Sequence, residues 1–239
     1  MHTTSRHLIN AVVSGFVLVV CSPDVSAQFE GIVETTNLTT DELGELREFV
    51  MTMWIKDAMV KVTHSPIGAT PATTLVYRND LRERWILNDE AKTYLSIPQD
   101  SISESLESPG PQEATDPHTI KMTHKTKRIL GYSAEQIIVR QGEQTTEIWG
   151  TKKLPHLARA ISRVFGSGEN AGGWTQELMR MGLFTLVSTT RLHGRIAESQ
   201  TVTRIESREL LHGLFEVPAG YRRETTREMI RRLGQGTRE

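Results

Sequence analysis

Cysteine is nearly absent from this sequence of 239 residues. The one cysteine, Cys21, lies near the N-terminus, which excludes a disulfide scaffold. Long apolar runs are missing too: the run from Ala11 to Cys21 has about eleven residues, whereas a membrane-spanning helix needs roughly 20. Neither sign of charge dominates, since 28 Lys and Arg balance 29 Asp and Glu. Without a bulk positive field, nucleic acid is not expected as a partner.

The first 27 residues are typical of a secretory signal peptide. A short polar start precedes the apolar run, and small residues follow at positions −3 and −1 of a cleavage site. We expect cleavage between Ala27 and Gln28 and a mature bacterial protein that is periplasmic or secreted. Lipid attachment at Cys21 is the alternative, but Val20 stands where a lipobox has Gly, Ala or Ser.

Short strands separated by turn residues account for most of the mature chain. The alternating apolar residues of Phe49–Ile55 are typical of the whole region from residue 29 to residue 97, which predicts an antiparallel meander. Strands are predicted again over residues 119–150, and a long pair is predicted over residues 183–207, turning at His193-Gly194. Each of these strands is expected to bury one face.

Two segments interrupt the strands. Residues 99–118 are rich in Ser, Pro and Gly and carry five acidic residues without a Lys or Arg, which predicts a flexible acidic loop. A docking segment for a basic partner or Ca²⁺ is the alternative. Apolar residues recur at helical spacing from Leu154 to Phe165, and a shorter helix is expected around Leu178.

The last segment, residues 222–239, is basic, with six arginines and three glutamates. The spacing of Met229, Ile230 and Leu233 allows a short helix with these residues on one side, but we expect a frayed and solvated C-terminal tail. Contact of this tail with an anionic membrane surface or an acidic partner is the alternative.

Chemistry-bearing patterns are sparse in the mature chain. Its six histidines form no His-x-x-x-His or Glu-flanked zinc motif, and no Gly-x-Ser-x-Gly elbow or cysteine nucleophile is present. We therefore expect no catalytic residue, no metal site and no cofactor. A hydrolase whose catalytic groups are scattered along the sequence stays open as a weaker alternative.

Methionine and tryptophan are prominent among the large apolar residues. Because Met adapts to irregular shapes, such residues suit the binding of apolar ligands, although packing of the core is the other interpretation. The candidate ligand-binding residues are Met51, Met53, Trp54, Trp85, Met122, Phe165 and Met179.

Three motifs, Gly131–Gln136, Glu147–Leu154 and Leu214–Tyr221, together resemble the secreted bacterial DUF4412 family. The resemblance extends from about Phe29 to Tyr221 and includes the closing Phe-x-Val-Pro-x-Gly-Tyr piece. Members of this family are similar to the periplasmic lipoprotein carriers LolA and LolB. The resemblance implies a cell-envelope location and a curved antiparallel sheet whose concave apolar face takes lipid.

The sequence thus predicts a mainly β fold: a single domain over residues 28–221 with a curved antiparallel half-barrel of about eleven strands covered by one or two helices. An open sheet of that size needs a lid on one face, and the helix from Leu154 to Phe165 is the candidate. We expect a non-enzymatic protein that binds a lipid, a lipoprotein acyl chain or another apolar ligand in the concave face. A structural or assembly protein with a self-filled core is the alternative.

Overall fold

The computed structural model describes residues 28–40, 44–66, 73–99, 117–165 and 173–235. The predicted signal peptide, nearly all of the acidic segment and the glycine-rich residues 166–172 lie outside these ranges. Side chains at residues 66, 73, 162–165, 176, 179 and 233–235 also lie outside the description.

Within the described ranges, twelve strands form one open sheet. They are β1 (Gly31–Thr40), β2 (Leu46–Lys56), β3 (Met59–Pro66), β4 (Thr73–Arg78), β5 (Glu83–Asn88), β6 (Thr93–Pro98), β7 (His118–Ile129), β8 (Tyr132–Gln141), β9 (Gln144–Thr151), β10 (Phe184–Leu192), β11 (Arg195–Ser207) and β12 (Arg222–Arg223). Their order is β12-β6-β5-β4-β3-β2-β1-β11-β10-β9-β8-β7. All neighbours are antiparallel except β12 and β6, so β1–β11 confirm the predicted mainly β half-barrel of about eleven strands.

Three α-helices accompany the sheet in the described ranges: α1 (Pro155–Phe165), α2 (Gly173–Arg180) and α3 (Thr226–Gln235). The first two confirm the helices expected after Leu154 and around Leu178. Pro155 occupies the first position of α1, where its missing N–H costs no helical hydrogen bond. A short 3-10 helix, His212–Phe215, lies in the segment between β11 and β12.

Irregular pairing at several points curves the sheet. The register shifts between Glu34 and Thr35 in β1 and between Met122 and Thr126 in β7, and two further shifts lie in β10. Extra residues at such bulges bend a strand and increase its twist. The sheet curls without closing, because β7 and β12 remain at opposite edges.

Both faces of the sheet carry buried apolar clusters. Val33 and Met53 point to one face, where they pack with Leu157 of α1. Their chain neighbours Ile32 and Trp54 point to the other face, because side chains alternate along a strand. We call these the helix-covered face and the strap-covered face. The second name refers to the C-terminal strap, residues 208–221, which contributes Leu210 and Phe215 to the Ile32 cluster and Val217 and Tyr221 at its margin.

The burial of both faces corrects the expectation that only one face is covered. The last long strand, β11, ends at Ser207, and the strap begins directly after it. Gly220 has a positive φ of 86°, which turns the chain toward β12.

The C-terminal residues differ from the predicted solvated tail. β12 pairs with Thr93 and Tyr94 of β6, and α3 follows. Glu224 between them is buried and accepts a hydrogen bond from Arg232 at 2.9 Å. Backbone pairing and a buried ion pair therefore fix the first part of the predicted tail to the sheet edge.

Candidate functional site

The helix-covered face is the candidate site, and the strand register shows that it continues across the sheet. Ile148 of β9 lies beside Ser188 of β10, Ser188 beside Gln200 of β11, and Gln200 beside Asn37 of β1. Paired neighbours point to the same face of a sheet, and Asn37 shares its face with Val33. The surfaces under α1 and under α2 are therefore parts of one face.

One end of the helix-covered face packs against α1. Leu157, Ala158 and Ala160 of α1 are buried in a cluster with Met53 and Val62. The apolar stripe of α1 has the spacing that predicted this helix from sequence. Half-buried apolar residues border the cluster; among them are Met51, Leu75, Leu154 and Ile161.

The other end packs against α2. Leu178 of this helix is buried with Ile137, Val139, Ile148 and Leu183. Four half-buried residues border this second cluster: Ile120, Met122, Trp174 and Met181. The two clusters share a surface that is mostly Met, Trp and aliphatic, as a site for a flexible apolar ligand requires.

Buried polar side chains also lie on this face, beside members of both clusters. Thr35 is 1% exposed and Asn37 is 8% exposed, and the Asn37 amide donates to the Thr35 hydroxyl oxygen at 2.8 Å. Thr146 and Thr190 are buried with their hydroxyl oxygens 3.1 Å apart. These groups satisfy one another without a net charge, so this polar stretch of the face is neutral.

His64 lies next to this polar stretch. It pairs with Met51 across β2 and β3, and its ring centroid is 6.0 Å from that of Phe49. Burial lowers the pKa of His64 below its ordinary value of 6.5, so the imidazole is neutral near pH 7. It therefore supplies a hydrogen-bonding group to this face without adding a charge.

The structure divides the seven candidate residues between the two faces. Met51, Met53 and Met122 lie on the helix-covered face. Trp54 and Trp85 belong to the strap-covered face, so they cannot line the same site as the methionines. The side chains of Phe165 and Met179 lie outside the described residues.

Trp85 is part of a polar and aromatic arrangement beneath the strap. Its indole N–H donates to the Glu83 carboxylate at 2.7 Å, and the Arg78 guanidinium lies 5.2 Å from its ring centroid. Arg78 is 5% exposed and pairs with Asp80 at 2.7 Å and with Glu216 of the strap at 2.9 Å. Its hydrogen bond to Asp80 is the main cause that lowers the pKa of that carboxyl group. Arg78 thus links the strap to the sheet.

A second Glu-x-Trp unit occurs on β9. The Trp149 indole N–H donates to Glu147 at 2.9 Å, and the Lys127 ammonium lies 4.0 Å from the Trp149 ring centroid. The Gln136 amide donates to the same carboxylate at 2.9 Å and is the main cause that lowers the pKa of Glu147. Both units could be read from sequence, because residues i and i+2 of a strand share a face.

The start of the strap is fastened by Glu30. Its carboxylate accepts hydrogen bonds from the Lys56 ammonium at 2.7 Å and from the Leu210 backbone N–H at 2.6 Å. Lys56 also donates to the Leu210 carbonyl oxygen at 2.8 Å. The hydrogen bond from Lys56, followed by that from Leu210, lowers the pKa of Glu30 below its ordinary value of 4.5.

We expect Glu30→Gln to lower the free energy of unfolding by about 1 kcal/mol near neutral pH. Because the pKa of Glu30 is lower in the folded protein, its contribution is present above pH 4.5 and is lost as the pH falls through the folded-state pKa. Urea unfolding of the unaltered protein and the Glu30→Gln variant at about pH 7 and about pH 3 measures this loss of stability. If the variant loses as much free energy of unfolding at about pH 3 as at about pH 7, the ionised Glu30 carboxylate does not stabilise the fold.

Two further features of the described ranges concern metal ligation and membrane crossing. No three His, Cys, Asp or Glu side chains there come together to hold a metal ion. No helix of the described ranges combines the length and the apolar character needed to cross a bilayer.

A family model described as a domain of unknown function, DUF4412, matches residues 29–221. The chain belongs to the DUF4412 family. This confirms the prediction made from the three motifs, and the matched range includes the whole sheet except β12, together with α1, α2 and the strap.

Comparison of this DUF4412 chain with curated proteins finds no match. Among solved structures it is similar to an uncharacterized conserved protein from Thermus thermophilus, with 10% identity and a TM-score of 0.47 over 82% of this chain and 90% of that chain. It is also similar to PNGF-II, with 12% identity and a TM-score of 0.39 over 86% of this chain and 33% of that chain. The chain thus matches about a third of PNGF-II.

Proposed function

We propose that this DUF4412 protein is an exported, non-enzymatic binding protein of the bacterial cell envelope. Its ligand is a lipid, an acyl chain or another apolar molecule, held on the helix-covered face beside α1 and α2. The signal-peptide pattern of residues 1–27 supports the export, and the composition of the face supports the choice of ligand.

The half-buried apolar rim of this face is the observation that carries the proposal. Met51, Met122, Trp174 and Met181 border the two clusters and keep part of their surface exposed. Apolar area that stays exposed beside these clusters is the surface that a hydrophobic ligand would remove from water, at about 25 cal/mol for each Å².

The dimensions of the sheet and of the two helices also support a ligand on the helix-covered face. Eleven strands spaced by about 4.8 Å give a sheet about 50 Å wide before curvature. Helix α1 has 11 residues and α2 has 8, so they are about 16 Å and 12 Å long. Two helices of this size cover only part of such a face, which leaves room for a ligand beside them.

The neutral polar stretch favours a ligand with a polar group over a pure hydrocarbon. Thr35 and Asn37 are uncharged and bonded to each other, and the half-buried His64 adds an uncharged hydrogen-bonding group on the same face. A fatty acyl ester or a similar amphiphile presents carbonyl or hydroxyl oxygens next to its chain. Such a molecule would match both parts of the face.

Two neighbouring residues of β2 provide a matched test. Met51 and Val50 are both half-buried, but alternation along the strand places Met51 on the helix-covered face and Val50 on the opposite one. We expect Met51→Lys to weaken binding of cis-parinaric acid to delipidated protein by about tenfold or more, because it puts a charge against the chain. Val50→Lys should change the affinity by about twofold or less.

Fluorescence titration measures both affinities, and circular dichroism shows whether each variant is folded. Equal weakening by the two substitutions would contradict binding on this face. Failure of the unaltered, delipidated protein to bind cis-parinaric acid or any phospholipid would favour the alternative, a structural or assembly protein with a self-filled core.

A further inference from the structure

Helix α3 presents an exposed stripe that its own fold does not use. Ile230 and Arg231 follow Arg227 by three and four residues, which places all three on one side of the helix. All three are exposed, and Ile230 is 62% exposed. An isoleucine between two arginines is thus directed to solvent near one edge of the sheet.

The orientation of this stripe is fixed by the residues around it. Helix α3 begins with a capping box, in which the Thr225 backbone N–H donates to Glu228 at 2.7 Å and the Glu228 N–H donates to the Thr225 hydroxyl at 3.3 Å. Arg232, one residue beyond the stripe, pairs with the buried Glu224. These contacts direct the stripe away from the sheet.

The arginines of this region divide into two groups. Arg222 pairs with Glu228 at 3.2 Å and Arg232 with Glu224 at 2.9 Å. Arg227 and Arg231 have no carboxylate within ion-pairing distance among the residues that the structure describes. Within the described ranges, α3 therefore carries two positive charges that no ion pair neutralises.

We propose that α3 docks the protein on a bilayer surface that contains anionic lipid. In this arrangement Ile230 enters the interface between headgroups and acyl chains, and Arg227 and Arg231 contact lipid phosphates. Apolar residues flanked by arginines are the composition of helices that lie in a membrane interface, and each basic residue near an anionic surface adds to the attraction. The docking site is distinct from the helix-covered face and does not depend on what that face binds.

Vesicle sedimentation of the mature chain, Gln28 to Glu239, tests the proposal. We expect binding to phosphatidylcholine vesicles with about 30% phosphatidylglycerol, weak binding to pure phosphatidylcholine, and a decrease as salt is raised. The double substitution Arg227→Gln and Arg231→Gln should lower the partition coefficient by about fivefold for each arginine, or about 25-fold. Ile230→Ser should weaken binding without any change in net charge.

The control variant removes two positive charges from a part of the surface outside α3 and β12. Arg140 and Arg195 are exposed, and neither belongs to α3 or β12. Changing both to Gln should alter the partition coefficient by about twofold or less. An equal loss in this control, or no preference of the unaltered protein for anionic vesicles, would overturn the proposal. Tight binding of an acidic protein through Arg227 and Arg231 in the absence of vesicle binding would overturn it in favour of a protein partner.

Discussion

Phe215→Ala is expected to lower the free energy of unfolding by about 3–5 kcal/mol. The Phe215 side chain is fully buried in the cluster with Val76, Trp85 and Leu87. Truncation removes most of its apolar contacts and leaves a cavity between strap and sheet. The same 3-10 helix positions the Phe215 carbonyl oxygen 3.4 Å from the Arg78 guanidinium, so the cavity would also disturb this link.

Leu211→Ala is the matched control for this prediction. Leu211 belongs to the same strap, but it is 79% exposed, so its truncation should change the stability by about 0.5 kcal/mol or less. Urea unfolding followed by tryptophan fluorescence measures both variants. Similar stabilities of the Phe215→Ala and Leu211→Ala variants would contradict the role of the strap as part of the core.

Gly31→Ala is expected to have a second large effect. A Cβ atom at this position would lie 2.0 Å from the Glu206 carbonyl oxygen and 3.0 Å from the Phe29 ring. Because the closest atom belongs to the backbone of the adjacent strand, β1 and β11 would have to separate where Gly31 pairs with Ser207. We expect a loss of about 3 kcal/mol or more, at the upper end of the cost of overpacking.

Gly213→Ala serves as the control for the change from glycine to alanine. No atom lies within 4 Å of a Cβ built at Gly213, which is exposed. Its substitution should therefore leave the stability within about 0.5 kcal/mol of the unaltered protein. Thermal unfolding compares the two, and a Gly31→Ala protein as stable as the Gly213→Ala protein would contradict the close approach of β1 and β11.

The strands and the first two helices could be predicted because their signals are local. The alternation from Phe49 to Ile55 and the helical spacing from Leu154 to Phe165 depend only on the period of the backbone. Turn residues fixed the ends of the strands: His193 and Gly194 both have positive φ where β10 turns into β11.

The candidate ligand residues show what this reasoning missed. Met53 and Trp54 are adjacent in one strand, so alternation alone assigns them to opposite faces. Which face carries the helices depends on contacts between distant parts of the chain, as does the coverage of the second face by the strap. Local patterns do not encode such contacts.

The C-terminal helix also has a local signal. The spacing of Met229, Ile230 and Leu233 indicates a short helix, and Thr225-Thr226-Arg227-Glu228 is a capping-box pattern that marks its start. The pairing of β12 with β6, in contrast, cannot be read from two residues.

Native mass spectrometry of the protein exported to a bacterial periplasm tests whether the helix-covered face holds a lipid. We expect cleavage at Ala27, a folded chain heavier than Gln28 to Glu239 by the mass of one or more lipids, and release of these lipids by organic solvent. Met51→Lys should remove the added mass, whereas Val50→Lys should retain it. A folded, exported protein that shows only the mass of the bare chain, whichever lipids are supplied, would contradict the claim.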